Sequence, residues 1–216
     1  MIVCVYLLDN ESRTSASGNW GGASRLKAGG AEVPISKPFL TIEEQPFLFW
    51  SLSTLAIAGI QKVVLAGNQP TQLQHAEKVI DSLPYDFQDV TFFQDRGLGA
   101  HGLPWHVRGL MDEQFIFECG HGINRPKHYK DMEAVKQPGK IVFSAFKSHP
   151  LNPRQPVMFR EGKPFLANQG VLTGFALAHP FLIDQEYAER LPEVNNPGLP
   201  AMALERLHFV LSSIQA

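Results

Sequence analysis

Ile2-Val3-Cys4-Val5-Tyr6-Leu7-Leu8 is apolar at every position. A strand with one wet face alternates apolar and polar residues. A run without alternation suits a strand covered on both faces, which is the habit of parallel sheets. Similar short runs recur at Val63-Val64-Leu65-Ala66 and Val90-Thr91-Phe92-Phe93. Between them lie helical patterns. Gln45-Pro46 opens one, with Leu48, Leu52, Leu55 and Ala56 on one face and Gly59 as a stop. Thr71 to Leu83 is the next, with Leu73, Ala76 and Ile80 inward. The order strand, loop, helix, strand, helix, strand predicts an α/β fold with a mostly parallel sheet.

The remaining chain fits the same scheme. Gln114 to Cys119 reads as a fourth strand, after a helical stretch from Pro104 to Met111. His128 to Val135 reads as a helix and Lys140 to Lys147 as a strand. Short strand-like pieces follow at Val157-Met158-Phe159 and Phe165-Leu166, then a strand over Val171 to Leu177. Phe181 to Leu191 and Ala201 to Ile214 carry helical patterns. Residues 11–32 read as one long polar loop, and Val33 to Pro38 as extended chain, because proline biases its predecessor away from the helix.

Two loops stand out chemically. Gly21-Gly22-Ala23-Ser24-Arg25-Leu26, with Lys37 shortly after, places glycines, a guanidinium and an ammonium in one segment. Glycines let backbone N–H groups approach phosphate oxygens, arginine forks onto two oxygens, and lysine supplies a point charge. The combination suits a triphosphate, although a solvated loop has the same composition. Gln94 to Gly102 is a second glycine-rich loop. Both loops, and Gly120-His121-Gly122, follow strands. Ligands of open α/β sheets bind outside the carboxyl ends of the strands, so one shared site is expected there.

The 216 residues carry a formal charge of −2 and no block of like charges, which gives no footprint for nucleic acid or an anionic membrane. No apolar run is long enough to span a bilayer. Two cysteines, Cys4 and Cys119, sit in strand-like runs without zinc-site spacing. They predict buried, reduced thiols in a cytoplasmic protein without a signal peptide.

Over its first two-thirds the sequence resembles the sugar-phosphate nucleotidyltransferase family. That family runs from a first strand into G-x-G-T-R-L, then P-K-P-L-L, a helix and a strand. Gly21 to Leu26 is similar to the first motif and Lys37-Pro38-Phe39-Leu40 to the second. Gln45 to Ile60 and Val63-Val64-Leu65 resemble the helix and strand that follow. Gln94 with Gly99-Ala100-His101-Gly102 resembles the Q…G-T-A-G loop. Phe115 to Gly120 is similar to the strand ending in G-D, and Thr173 to Leu177 to a later strand.

The resemblance implies a Rossmann-like, three-layer α/β/α domain spanning 1–216, with a nucleotide-binding part over about 1–147 and an acceptor-side part over about 148–216. It implies transfer of a nucleotidyl group from a nucleoside triphosphate to a sugar-1-phosphate or similar phosphate, releasing pyrophosphate. Arg25 and Lys37 would be the catalytic cations. Gly21, Gly22, Ser24, Gln94, Gly99, Ala100 and Gly102 would seat the nucleotide. Mg²⁺ or Mn²⁺ is the expected cofactor, and self-association into a homo-oligomer is left open.

The sequence departs from the family at the metal. His121 stands in place of an acidic ligand, and imidazole is a softer donor than Mg²⁺ prefers. Asn196 stands in the nearest match to a second acidic segment, and Asp9 to Trp20 is an insertion before the first loop. Asp9, at the end of the first strand, could approach His121 if the first and fourth strands are neighbours. Glu118 points to the opposite face by strand alternation. Two readings therefore stand: an enzyme with a shifted metal site formed by Asp9 and His121, and a non-catalytic relative that binds a nucleotide, a nucleotide-sugar or another protein.

Overall fold

The structure, a computed structural model, describes residues 1–7, 27–28, 31–32, 37–67, 69–95, 103, 106–138, 142–147, 157–160, 163–166 and 175–185. The principal strands are β1 (Ile2–Leu7), β2 (Lys62–Gly67), β3 (Asp89–Gln94), β4 (Gln114–Cys119), β5 (Val142–Lys147) and β6 (Phe175–Asp184). They form one six-stranded sheet in the order β3-β2-β1-β4-β6-β5. The first four pair in parallel, and β6 runs antiparallel to both its neighbours. The fold is α/β, Rossmann-like, with a mostly parallel central sheet. β1 and β4 are direct neighbours, in register from Ile2↔Phe115 to Tyr6↔Cys119.

The absence of alternation in β1 has its expected consequence: all its residues are buried, from both sides of the sheet. One face is closed by α1 (Phe47–Ile57), α2 (Pro70–Asp81) and α3 (Pro126–Val135). Leu48, Leu52 and Leu55 of α1, Ala76 and Val79 of α2, and Tyr129 and Met132 of α3 meet Val3, Val5, Leu7 and Leu65 there. The opposite face packs Cys4, Tyr6, Val64, Phe115 and Phe117 against Leu103, Val107 and Met111.

Helix boundaries follow local chemistry. Pro46 sits at the N-cap of α1, and Gly59, at φ 87°, turns the chain after it. Pro70 opens α2, and Gln69 and Gln72 form a reciprocal capping box. Lys136 at the end of α3 reaches β6, with its ammonium 2.8 Å from Asp184, and both side chains are largely buried.

Three expectations are corrected. Phe181 to Asp184 is strand, pairing with β4 from Phe181↔Phe117 to Asp184↔Gln114, and not the start of a helix. The reason is a bulge. Register with β5 shifts between Ala178 and Phe181, and this absorbs Pro180, which cannot donate to a ladder. The Pro180 carbonyl accepts instead from the Ser144 hydroxyl at 3.0 Å, and Ser144 is 2.7 Å from His128 Nε2. Second, Lys37–Phe39 is a 3₁₀ turn and not extended chain, since the fixed φ of Pro38 suits a helical turn. Third, the presumed loop of residues 11–32 contains a short antiparallel pair, Lys27–Ala28 with Ala31–Glu32. The expected helix over Ala201 to Ile214 lies outside the described residues. Val157–Arg160 and Lys163–Leu166 form an antiparallel hairpin, as their sequence predicts.

Candidate functional site

The carboxyl end of β4 organises the candidate site. The Gly120 amide donates to the Tyr6 carbonyl at 2.9 Å, extending the β1–β4 ladder by one bond. The Gly122 amide then donates to the Cys119 carbonyl at 2.8 Å, which turns the chain through His121. A Cβ on Gly120 would stand 3.1 Å from Leu7 Cδ2 and 3.2 Å from Pro38 Cγ. Glycine here permits the close approach of Pro38, which is buried over the ends of β1 and β4.

That contact decides where Lys37 goes. The 3₁₀ turn carrying it rests on Gly120, and Phe39 holds the turn from the other side by an edge-to-face contact with His75 of α2 at 5.4 Å. Lys37, far from His121 in sequence, thus comes to the same strand ends. Gln94 also lies at the carboxyl end of the sheet, as the last residue of β3 paired with Gly67. Three strand spacings separate β3 from β4, roughly 14 Å, so Gln94 and His121 flank the strand ends without meeting. Arg25, Gly21, Gly22, Ser24, Gly99, Ala100, Gly102 and Asp9 lie outside the described residues, as does Asn196.

Two buried carboxylates went unassigned in the sequence reading. Asp95 follows β3, and its amide donates to the Gly67 carbonyl at 2.7 Å. Burial pushes the Cys4 thiol far up, and the charge of Asp95 adds to that. Both cysteines are buried and reduced.

Glu118 lies on the helical face, opposite Cys119, as alternation requires. Its Oε1 accepts from the Cys119 amide at 2.8 Å. Its Oε2 accepts from Asn124 Nδ2 at 2.8 Å and from the Tyr129 hydroxyl at 3.1 Å. Burial pushes its carboxyl up to about 7, against the opposing pull of these donors. Tyr129 is pushed up as well, first by burial and then by Glu118. The visible signal was an acid inside the apolar run 115–119, followed by Asn124 and Tyr129.

Glu118 is therefore committed to its own face. Among the described residues no group of three or more His, Cys, Asp or Glu side chains is arranged to hold a metal ion. His121 alone offers one imidazole, so the described residues do not supply the hard oxygen set of Mg²⁺. A shallow concavity lined by Met1, Gly59, Lys62, Asp112, Lys130 and Glu133 lies at the amino ends of β1, β2 and β4, away from this chemistry. Among the described residues no helix is long and apolar enough to cross a membrane.

Solved structures share this architecture. HddC from Yersinia pseudotuberculosis superposes with a TM-score of 0.63 at 15% identity, covering 88% of this chain and 79% of that one. The chain shares that fold. The same protein complexed with GMP-PN gives 0.62 at 15% identity, over 95% of this chain and 97% of that one. CMP:2-keto-3-deoxy-manno-octonic acid synthetase complexed with CTP gives 0.62 at 13% identity, over 99% and 85%. No protein-family model matches the chain, and neither does any curated protein sequence. At these identities the likeness speaks for the fold alone.

Proposed function

We propose that this chain is a nucleotidyltransferase-like protein acting on a nucleoside triphosphate and a sugar-1-phosphate or similar phosphate. An oxygen of the acceptor phosphate attacks the α-phosphorus. The bond from that phosphorus to the bridging oxygen breaks, and pyrophosphate leaves with the electron pair. Such a reaction asks the protein chiefly to position groups and offset growing charge. Lys37 stabilises charge at the reacting phosphates, Arg25 holds the β- and γ-phosphates, and the loops containing Gly21, Gly22, Ser24 and Gly99, Ala100, Gly102 seat the nucleotide beside Gln94. The observation that carries the reading is the seating of the Lys37 turn on Gly120, at the carboxyl ends of β1 and β4. The nucleotide complexes of the two fold neighbours support it. A divalent ion would lend charge neutralisation at the phosphates. The donor set among the described residues does not fit such an ion. A cytoplasmic setting, with both thiols reduced, completes the reading.

A second reading is favoured by His121 and by the commitment of Glu118 to the helical face: nucleotide or nucleotide-sugar binding without turnover. One experiment separates the two. Pyrophosphate release is measured with each common triphosphate, Mg²⁺ or Mn²⁺, and a panel of sugar phosphates, beside thermal stabilisation by the triphosphate alone. An enzyme releases pyrophosphate and loses about 100-fold or more of that rate in Lys37→Ala or Arg25→Ala. A binder is stabilised by about 2.7 kcal/mol at a hundred times its Kd without release. Neither release nor stabilisation would sink both.

A further inference from the structure

A carboxylate inside a sheet core is costly unless its oxygens are satisfied. Glu118 meets that demand with three donors, and all lie in the stretch that follows it. The Cys119 amide is the last of β4, Asn124 ends the β4–α3 turn, and Tyr129 is fully buried in α3. One side chain therefore ties strand, turn and helix together. The turn is also built around that carboxylate. A Cβ on Gly122 would stand 2.5 Å from Glu118 Oε1 and 3.2 Å from the Cys119 carbonyl. Both ends of the turn thus rest on Glu118: Gly122 by close approach, Asn124 by its amide. His121 and Gly120 lie between the strand and these anchors, and Gly120 is the seat of the Lys37 turn.

We propose that Glu118 is the positioning residue of the candidate site: from the opposite face of the sheet it clamps the 119–124 turn, and so fixes His121 and the Gly120 seat beneath Lys37. It touches no substrate, and it acts through the turn. The role rests on the nucleotide reading for its consequence, but the clamp itself is a property of the free protein.

The test uses the full chain and three variants: Asn124→Ala, Gly122→Ala and Glu118→Gln. Asn124→Ala removes one donor at a half-buried position and spares the apolar core. Gly122→Ala forces the turn off the carboxylate. Glu118→Gln keeps a carbonyl oxygen for the Cys119 amide, and its NH₂ can donate to a flipped Asn124 amide and to the Tyr129 oxygen. In Asn124→Ala and Gly122→Ala, amide exchange over 119–124 should be about tenfold faster, as expected for losing about one buried hydrogen bond's worth of local stability. The His121 ring-proton resonances should move with it. CTP and GTP, each with Mg²⁺, should bind about tenfold more weakly to these two variants at a temperature where both remain fully folded, while Glu118→Gln stays within about threefold of the parent. A merely structural Glu118 would lower the midpoint and leave affinity alone. Unchanged exchange and unchanged His121 resonances in both variants overturn the clamp. Faster exchange with unchanged affinity overturns its positioning role. If the parent binds neither triphosphate, the nucleotide reading fails, and exchange with the His121 resonances still decides the clamp.

Discussion

The two faces of the sheet are buried by different means. The face bearing Val3, Val5 and Leu7 is closed by three helices; of its buried acids, Asp184 pairs with Lys136, and Glu118 is held by donors no more than eleven residues away. The face bearing Cys4 and Tyr6 is covered, among the described residues, by Leu103 and the 106–111 segment. Its buried acid, Asp95, acts across the sheet on Cys4. Glu118 is embedded in a local hydrogen-bond cluster, and Asp95 adds to the larger effect of burial on the Cys4 thiol. Local clusters fix geometry, whereas fields set protonation.

The largest effect expected to probe this contrast is cavity formation. Leu52 and Leu103 are both fully buried. Leu52→Ala, on the sheet-facing side of α1, should cost about 4 kcal/mol by urea unfolding. Leu103→Ala, on the other face, should cost about 3 kcal/mol, within the range for a fully buried leucine. Equal losses would mean that both faces are packed alike.

The pH dependence comes next. The carboxyl of Glu118 is raised from 4.5 to about 7 by burial. Between these values the folded chain holds a proton that the unfolded chain has lost. Stability should therefore fall as pH rises through this window, by roughly 3 kcal/mol in total, and then level off. Glu118→Gln should flatten that decline in unfolding experiments run from pH 4.5 to 8. An equally steep fall in the variant would assign it to another group.

The smallest effect belongs to the outer side of α3. Lys127 and Asp131 pair at 2.6 Å with side chains 80% and 55% exposed. Lys127→Ala should change stability by no more than about 0.5 kcal/mol, less at high salt. A larger loss would show that the helical face depends on its surface charges as well as on its core.

Much of the fold was legible before any coordinates. Unbroken apolar runs between helical patterns suit strands covered on both sides, and β1 and β2 are such strands, whereas the run at Val90 to Phe93 forms the edge strand β3 and stays partly exposed. The periodicity of Leu48, Leu52 and Leu55 marked the buried side of α1 for the same reason. The end of β6 was not legible, since Pro180 signals a break unless a neighbouring strand can accommodate a bulge. Of the candidate site, residue types and spacing pointed to Lys37, Gln94 and His121 as occupants of the strand ends. Chain order did not say that Pro38, beside Lys37, rests on Gly120, because the contact joins segments roughly eighty residues apart through the absence of a Cβ.

Glu118 marks the division most clearly. Alternation, a property of the covalent backbone, determined from sequence alone which face it occupies. Its satisfaction by Cys119, Asn124 and Tyr129 was decided only by tertiary structure, because burial is affordable for a carboxylate only where the turn and helix deliver donors to both oxygens. Sequence periodicity determines faces and classes; the packing of one segment on another decides which charge lies beside which donor.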